Sequence, residues 1–124
     1  MENVSSVAPI LSLQDLLSYQ EEVSKVFIKP ELCEYIVNIV ERTRSCDLLA
    51  QGVSPRGSIA IMKMAKAHAF YGNRNYVTPE DISAVLFAVC NHRIILSTKA
   101  KASNMRIEDV LFEIIDQIQI PILS

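Results

Sequence analysis

Three glycines in 124 residues leave little material for a loop that wraps a phosphate. Neither G-x-x-x-x-G-K-[ST] nor G-x-G-x-x-G occurs, so the chain has neither of these phosphate cradles. H-E-x-x-H and G-x-S-x-G are missing as well, which removes the zinc-protease and α/β-hydrolase signatures. The three cysteines, Cys33, Cys46 and Cys90, are odd in number and never spaced C-x-x-C. That argues against a disulfide or zinc framework and for reduced thiols in a cytoplasmic protein. No apolar run approaches the roughly 18 residues of a membrane span. The start, MENVSSVAPIL, lacks the basic n-region and long apolar h-region of a signal peptide. Twelve basic residues stand against 14 acidic ones, a net charge of −2, so no general attraction to nucleic acid or anionic lipid is expected.

Apolar side chains are what the sequence has in quantity. Half of the residues are hydrophobic and the mean hydropathy is +0.24, high for a free-standing soluble domain. Some apolar surface is therefore expected to meet a partner or a neighbouring domain. The length fits one domain, and no internal repeat or low-complexity segment breaks it.

Helical periodicity runs through nearly the whole chain. Ser12, with Asp15 three residues on, caps a helix over residues 13–27 whose apolar stripe is Leu13, Leu16, Leu17, Val23, Val26 and Phe27. Pro30 opens a second helix, with Leu32, Ile36, Ile39, Val40 and Thr43 inside. Residues 46–53 form a loop. A third helix follows from about Pro55 to Tyr71 and stops at Gly72, read as a C′ glycine. Thr78-Pro79-Glu80-Asp81 is the clearest helix start: threonine at the cap, proline at N1, acids on the positive helix end. That helix turns Ile82, Val85, Leu86, Val89 and Cys90 inward and ends around Arg93-Ile94. Residues 97–105 are polar and read as a mobile loop. A last helix spans about Arg106 to Gln119. The tail IQIPIL alternates like a short edge strand limited by its proline. The expected fold is all-α, a compact bundle of about five helices, with room for a short β-pairing of the two termini.

The helix after Gly52-Val53-Ser54-Pro55-Arg56-Gly57-Ser58 is apolar nearly all round, which predicts a central, buried helix. Ser54 reads as its N-cap and Pro55 as its N1 residue. Its polar stripe is narrow and positive: Arg56, Lys63 and Lys66. A cation on the first turn opposes the helix macrodipole. That misfit makes Arg56 the first functional candidate, either as a surface arginine or as a cation presented to an anion held elsewhere. Free N–H groups at a helix start attract anions, and arginine can meet a phosphate bidentately, so the anion suggested is phosphate. His68 and His92 read as structural, since neither has a second ligand at i+3 or i+4, and no metal site is expected. The cysteines read as core filler. Lys99, Lys101 and Arg106 read as solvated surface, because no aromatics are interleaved with them.

These motifs, taken in order, resemble a known family. Gly52-Val53-Ser54-Pro55-Arg56-Gly57-Ser58, then Ala65-Lys66-Ala67, then Tyr76-Val77-Thr78-Pro79-Glu80-Asp81-Ile82, then His92-Arg93, are similar to the C-terminal helical lid of MoxR-type AAA+ ATPases. That family usually reads G-A-S-P-R-A, then R/K-D-Y-V-T-P-E-D-V, then H-R. Val53 and Gly57 stand where alanine is usual, and Asn75 where aspartate is usual. The resemblance implies that residues 1–124 are one lid domain excised from a longer ATPase, whose α/β nucleotide-binding core supplies the Walker A lysine, the Walker B carboxylates and the arginine finger. The chain alone would then be no enzyme, and ATP and Mg would belong to the parent protein. Arg56 would be the sensor 2 arginine that reaches the ATP γ-phosphate, with Ser54 and Pro55 supporting it at the helix start. Lys63 is a candidate contact to nucleotide or core. The implied partners are the protein's own core, neighbouring subunits of a hexamer, and client or von Willebrand factor A-domain proteins. The implied role is chaperone-like maturation of a partner. The alternative is a free-standing helical interaction module that binds protein or DNA, whose best feature is the basic stretch 92–106.

Overall fold

Helices dominate the computed structural model, which describes residues 12–122. The first, α1 (Leu13–Ser24), begins with the expected capping pair. The Ser12 N–H donates to the Asp15 carboxylate at 3.2 Å, and the Asp15 N–H donates to the Ser12 hydroxyl at 3.1 Å. It ends three residues earlier than its apolar stripe suggests. Phe27 leaves the helix because its backbone is used elsewhere: its N–H donates to the Asn75 carbonyl and its carbonyl accepts the Val77 N–H, both at 2.8 Å. Helix α2 (Pro30–Ser45) buries all five predicted inner residues and Tyr35 as well.

The loop expected at 46–53 contains a strand, β1 (Leu49–Gln51). Helix α3 (Arg56–Tyr71) and helix α4 (Pro79–Cys90) follow and make the most extensive helix packing in the described chain. Strand β2 (Ile95–Leu96) then pairs antiparallel with β1, Leu49 opposite Leu96 and Gln51 opposite Ile95. The polar stretch at 97–105 is not a loop throughout. It holds α5 (Thr98–Ala102), because the Ser97 hydroxyl caps the Ala100 N–H at 3.2 Å and Ala100 is buried. Helix α6 (Ile107–Gln117) closes the bundle with Val110, Leu111 and Ile114 inside. The described residues thus hold six helices where about five were expected, and the all-α class stands. The tail from Ile118 to Ile122 is not a strand, and the pairing of the termini falls on residues 1–11 and 123–124, outside the described residues. The ribbon that does form, β1 with β2, is internal.

Two expectations about α3 change. It is central, touching α1, α2 and α4, but it is not buried all round. Only Gly57, Ile61, Ala65 and Ala69 are buried, one residue per turn, while Ile59 is 51% and Met64 45% exposed. Small residues on that stripe let the neighbouring backbones come close. Its C-terminus is not turned by Gly72, whose φ is −84°. The left-handed residue is Asn73 at φ 62°. The Asn73 N–H reaches the Phe70 carbonyl and the Arg74 N–H the Ala69 carbonyl, each at 3.0 Å, which is the Schellman pattern with asparagine in the glycine's place. The surplus hydropathy is visible on α1, which has no buried residue. There Leu13, Leu16 and Leu17 are 72%, 41% and 55% exposed.

Gly57 is required by packing. A Cβ placed on it would lie 2.1 Å from Val53 Cγ1, and Val53 is fully buried. Of the two methyls that Val53 carries beyond alanine, Cγ1 occupies the space that alanine at position 57 would need. Gly57→Ala should therefore destabilise the domain by about 1–3 kcal/mol through overpacking, although alanine is the better helix former. Val53→Ala in the same chain should recover most of that loss. Urea unfolding of the four variants of this double-mutant cycle reads the coupling, and simple additivity of the two costs would contradict the contact.

Candidate functional site

The start of α3 is built on a side chain from α2. Thr43 is buried, and its hydroxyl donates to the Val40 carbonyl at 2.6 Å and accepts the Val53 N–H at 2.9 Å. Gly52 lies so close to this residue that a Cβ there would sit 2.3 Å from the Thr43 carbonyl oxygen. Only glycine permits that approach. Residues 52 and 53 are thereby fixed against α2, and Val53 in turn fills the notch over Gly57.

Pro55 already has helical dihedrals, φ −55° and ψ −27°, and occupies the N-cap position. The Ser54 carbonyl accepts the Gly57 N–H at 2.8 Å, but no side chain caps this helix. The expectation that the Ser54 hydroxyl would do so is corrected. The proline's helical φ and ψ put the boundary one residue later, and Ser54 contributes its backbone instead. Ser54, Pro55 and Arg56 are all exposed, and the first turn holds no acid. Arg56 makes no hydrogen bond or ion pair with another described residue. Lys63 lies two turns along on the same face and is also exposed without such a partner. Lys66 is different: its ammonium donates to the Ser24 carbonyl at 3.3 Å and ties α3 to α1. A second arginine comes to the same turn from another element. The Arg93 guanidinium donates to the Val89 carbonyl at 2.8 Å, and its Cδ is 3.8 Å from the point where a Gly57 Cβ would be. The sequence presented Arg93 only as part of a motif; its approach to Gly57 depends on how α4 ends.

The far end of α3 is held by a buried carboxylate. Asp81 is fully buried at the start of α4. Arg74 donates to both of its oxygens, at 2.6 and 2.7 Å. His68 Nδ1 donates at 2.6 Å, the Thr78 N–H at 2.7 Å and the Thr78 hydroxyl at 3.0 Å. Burial pushes the Asp81 carboxyl up, but the hydrogen bonds from Arg74, His68 and Thr78 outweigh it and hold the group well below the usual carboxylate range. The sequence presents Asp81 as a helix-end acid and does not single out Arg74. A signal was available: Asp81 falls in register with Val85 and Val89 on the inner face of α4, and a buried acid there requires a cation. The cysteines stay free; Cys90 is buried, which pushes its thiol up to about 11, while Cys33 and Cys46 are half-buried. No helix among the described residues is long and apolar enough to cross a membrane.

Comparison with known proteins gives this small helical bundle a family. The chain belongs to the AAA lid domain family, whose model matches residues 41–114. Its relatives make it a lid of the MoxR type. Chaperone MoxR1 of Mycobacterium tuberculosis is 33% identical over 121 residues, covering 90% of this chain and 32% of its own length. Protein MoxR of Paracoccus denitrificans is 38% identical over 73 residues, covering 54% of this chain and 22% of itself. Bacillus subtilis YeaC is 36% identical over 119 residues, covering 96% of this chain and 37% of itself. A crystal structure of a candidate ATPase from Cytophaga hutchinsonii superposes with a TM-score of 0.81 at 34% identity, over 87% of this chain and 36% of that one. The chain thus spans about a third of the length of the first two curated relatives it matches.

Removing the Asp81 charge tests the clamp. Asp81→Asn should cost about 3–5 kcal/mol at pH 7, as for one partner lost from a buried ion pair. The folded-state pKa is depressed, so the stabilisation is full above the unfolded value of about 3.9 and shrinks as pH falls below it. The gap between wild type and variant in chemical denaturation should therefore narrow from pH 7 to pH 2.5. A constant gap would show that the carboxylate's charge is not what holds the fold.

Proposed function

We propose that the chain is the lid of a MoxR-type AAA+ ATPase and that Arg56 is its sensor 2 arginine. The observation that carries this reading is the exposed guanidinium on the first turn of the central helix, which pairs with no other described residue and has no acid in its turn. Its charge is unfavourable where it stands unless an anion arrives. The nucleotide-binding core supplies the phosphate cradle, the Mg ion and the attacking water. Arg56 meets the γ-phosphate and stabilises charge there through bidentate N–H contacts. Ser54 and Pro55 hold the turn from which it projects, and Lys63 extends the same positive face toward the core. Because α3 is tied to α1, α2 and α4, a pull on Arg56 moves the bundle as a unit. The bundle thereby passes nucleotide state to neighbouring subunits of a hexameric ring and to a client, including von Willebrand factor A-domain partners, whose maturation the complex assists in the cytoplasm.

Arg56→Ala in a full-length ATPase carrying this lid should lower steady-state ATP turnover at least about tenfold, less than the ~10³-fold or more of an arginine finger. Circular dichroism and the melting temperature of the isolated lid should change little, because the exposed side chain makes no hydrogen bond or ion pair with another described residue. Wild-type turnover in the variant would remove the sensor assignment.

A further inference from the structure

Arg56 can only report a phosphate if its turn is held in place, and no side chain of residues 54–56 caps that turn. Ser54, Pro55 and Arg56 are exposed, and the helix start has no side-chain cap. What fixes the turn comes from below. The Thr43 hydroxyl takes the Val53 N–H at 2.9 Å while donating to the Val40 carbonyl at 2.6 Å, so the hydroxyl is used in both directions and its orientation is determined. Gly52 presses on the Thr43 carbonyl, and buried Val53 sits in the notch of Gly57, the residue after Arg56. A contiguous path of close contacts therefore runs from α2 through Thr43 and Val53 to Gly57 and Arg56. We infer that Thr43 is a positioning residue for Arg56: its hydroxyl sets the path of residues 52–57 and so the point in space from which the guanidinium projects. The inference rests on the sensor reading above and adds to it the element that supplies the aim. Helix α2 also meets α6 through the Arg42–Gln117 hydrogen bond, so the arginine's foundation is continuous with the last helix of the bundle.

Valine at position 43 keeps the shape and removes the acceptor, leaving the Val53 N–H unpaired in the interior. Serine keeps the hydroxyl. In a full-length ATPase carrying this lid, Thr43→Val should lower kcat about tenfold at a temperature well below its melting point, within the 10²-fold that a displacement of about 1 Å can cost. KM for ATP should change much less than kcat, and Thr43→Ser should restore turnover toward wild type. In the Arg56→Ala background, Thr43→Val should lower kcat no further while still lowering the melting temperature. An equal drop in kcat in that background, or wild-type turnover in Thr43→Val alone, overturns the inference and leaves the sensor reading intact. Wild-type turnover in Arg56→Ala overturns the sensor reading and this inference together. Should Thr43→Val fail to fold, Gly57→Ala displaces the same turn through Val53. Its loss of turnover should then disappear in Val53→Ala/Gly57→Ala and in the Arg56→Ala background, and persistence in either overturns the inference.

Discussion

A carboxylate removed from water must be met by donors, and Asp81 is met by five hydrogen bonds from three residues. Those residues come from three different places: His68 from the last turns of α3, Arg74 from the connection, Thr78 from the cap of α4. Each donor is therefore tied to the same oxygen atoms, and so is the connection between the two most extensively packed helices. The left-handed Asn73 delivers Arg74 to Asp81, and the backbone bridge between Phe27 and Tyr76 fastens the same connection to the end of α1. The arrangement fits the general rule that a buried charge is tolerated only when it is fully paired.

Helix α3 is thus pinned at both ends by different chemistry. At its C-terminus the pin is ionic and senses acid. At its N-terminus the pin is neutral: a threonine hydroxyl, a close backbone approach at Gly52, and the Val53 side chain seated against Gly57. Between the pins the helix contributes only a narrow stripe of small and branched residues to the core and leaves Ile59 and Met64 exposed. A helix so held is joined to α2 at its first turn and to α4 at its last turns. The leucines of α1 and Phe112 of α6 leave large apolar side chains exposed.

Much of this was legible in the sequence because it is local. The capping pair Ser12/Asp15, the T-P-E-D start of α4, and the inner faces of α2 and α4 depend on residues within a few positions of one another, and each follows from hydrogen-bond geometry or a 3.6-residue period. The position of Arg56 on a first turn was legible for the same reason. The errors have local causes too. The sequence offers Gly72 for the turn that ends α3, but Asn73 takes the left-handed conformation, since asparagine also tolerates positive φ. It offers Ser54 as a side-chain cap, but the helical dihedrals of Pro55 move the boundary. A stretch with no apolar period, residues 97–105, hid a one-turn helix that needs only a serine cap and one buried alanine.

The sequence alone therefore determined the class of fold, the faces that turn inward, and the arginine without a local reason to be where it is. Tertiary structure decided everything that joins residues far apart in the chain. It brought Thr43 under Val53, laid the stem of Arg93 over Gly57, paired β1 with β2, and surrounded Asp81 with His68 and Arg74. It also decided that Val53 and Gly57, which look like two separate departures from a family pattern, share one methyl-sized space. Periodicity reports which side of a helix avoids water, but it does not report what waits on that side, and each of these contacts is a statement about the partner.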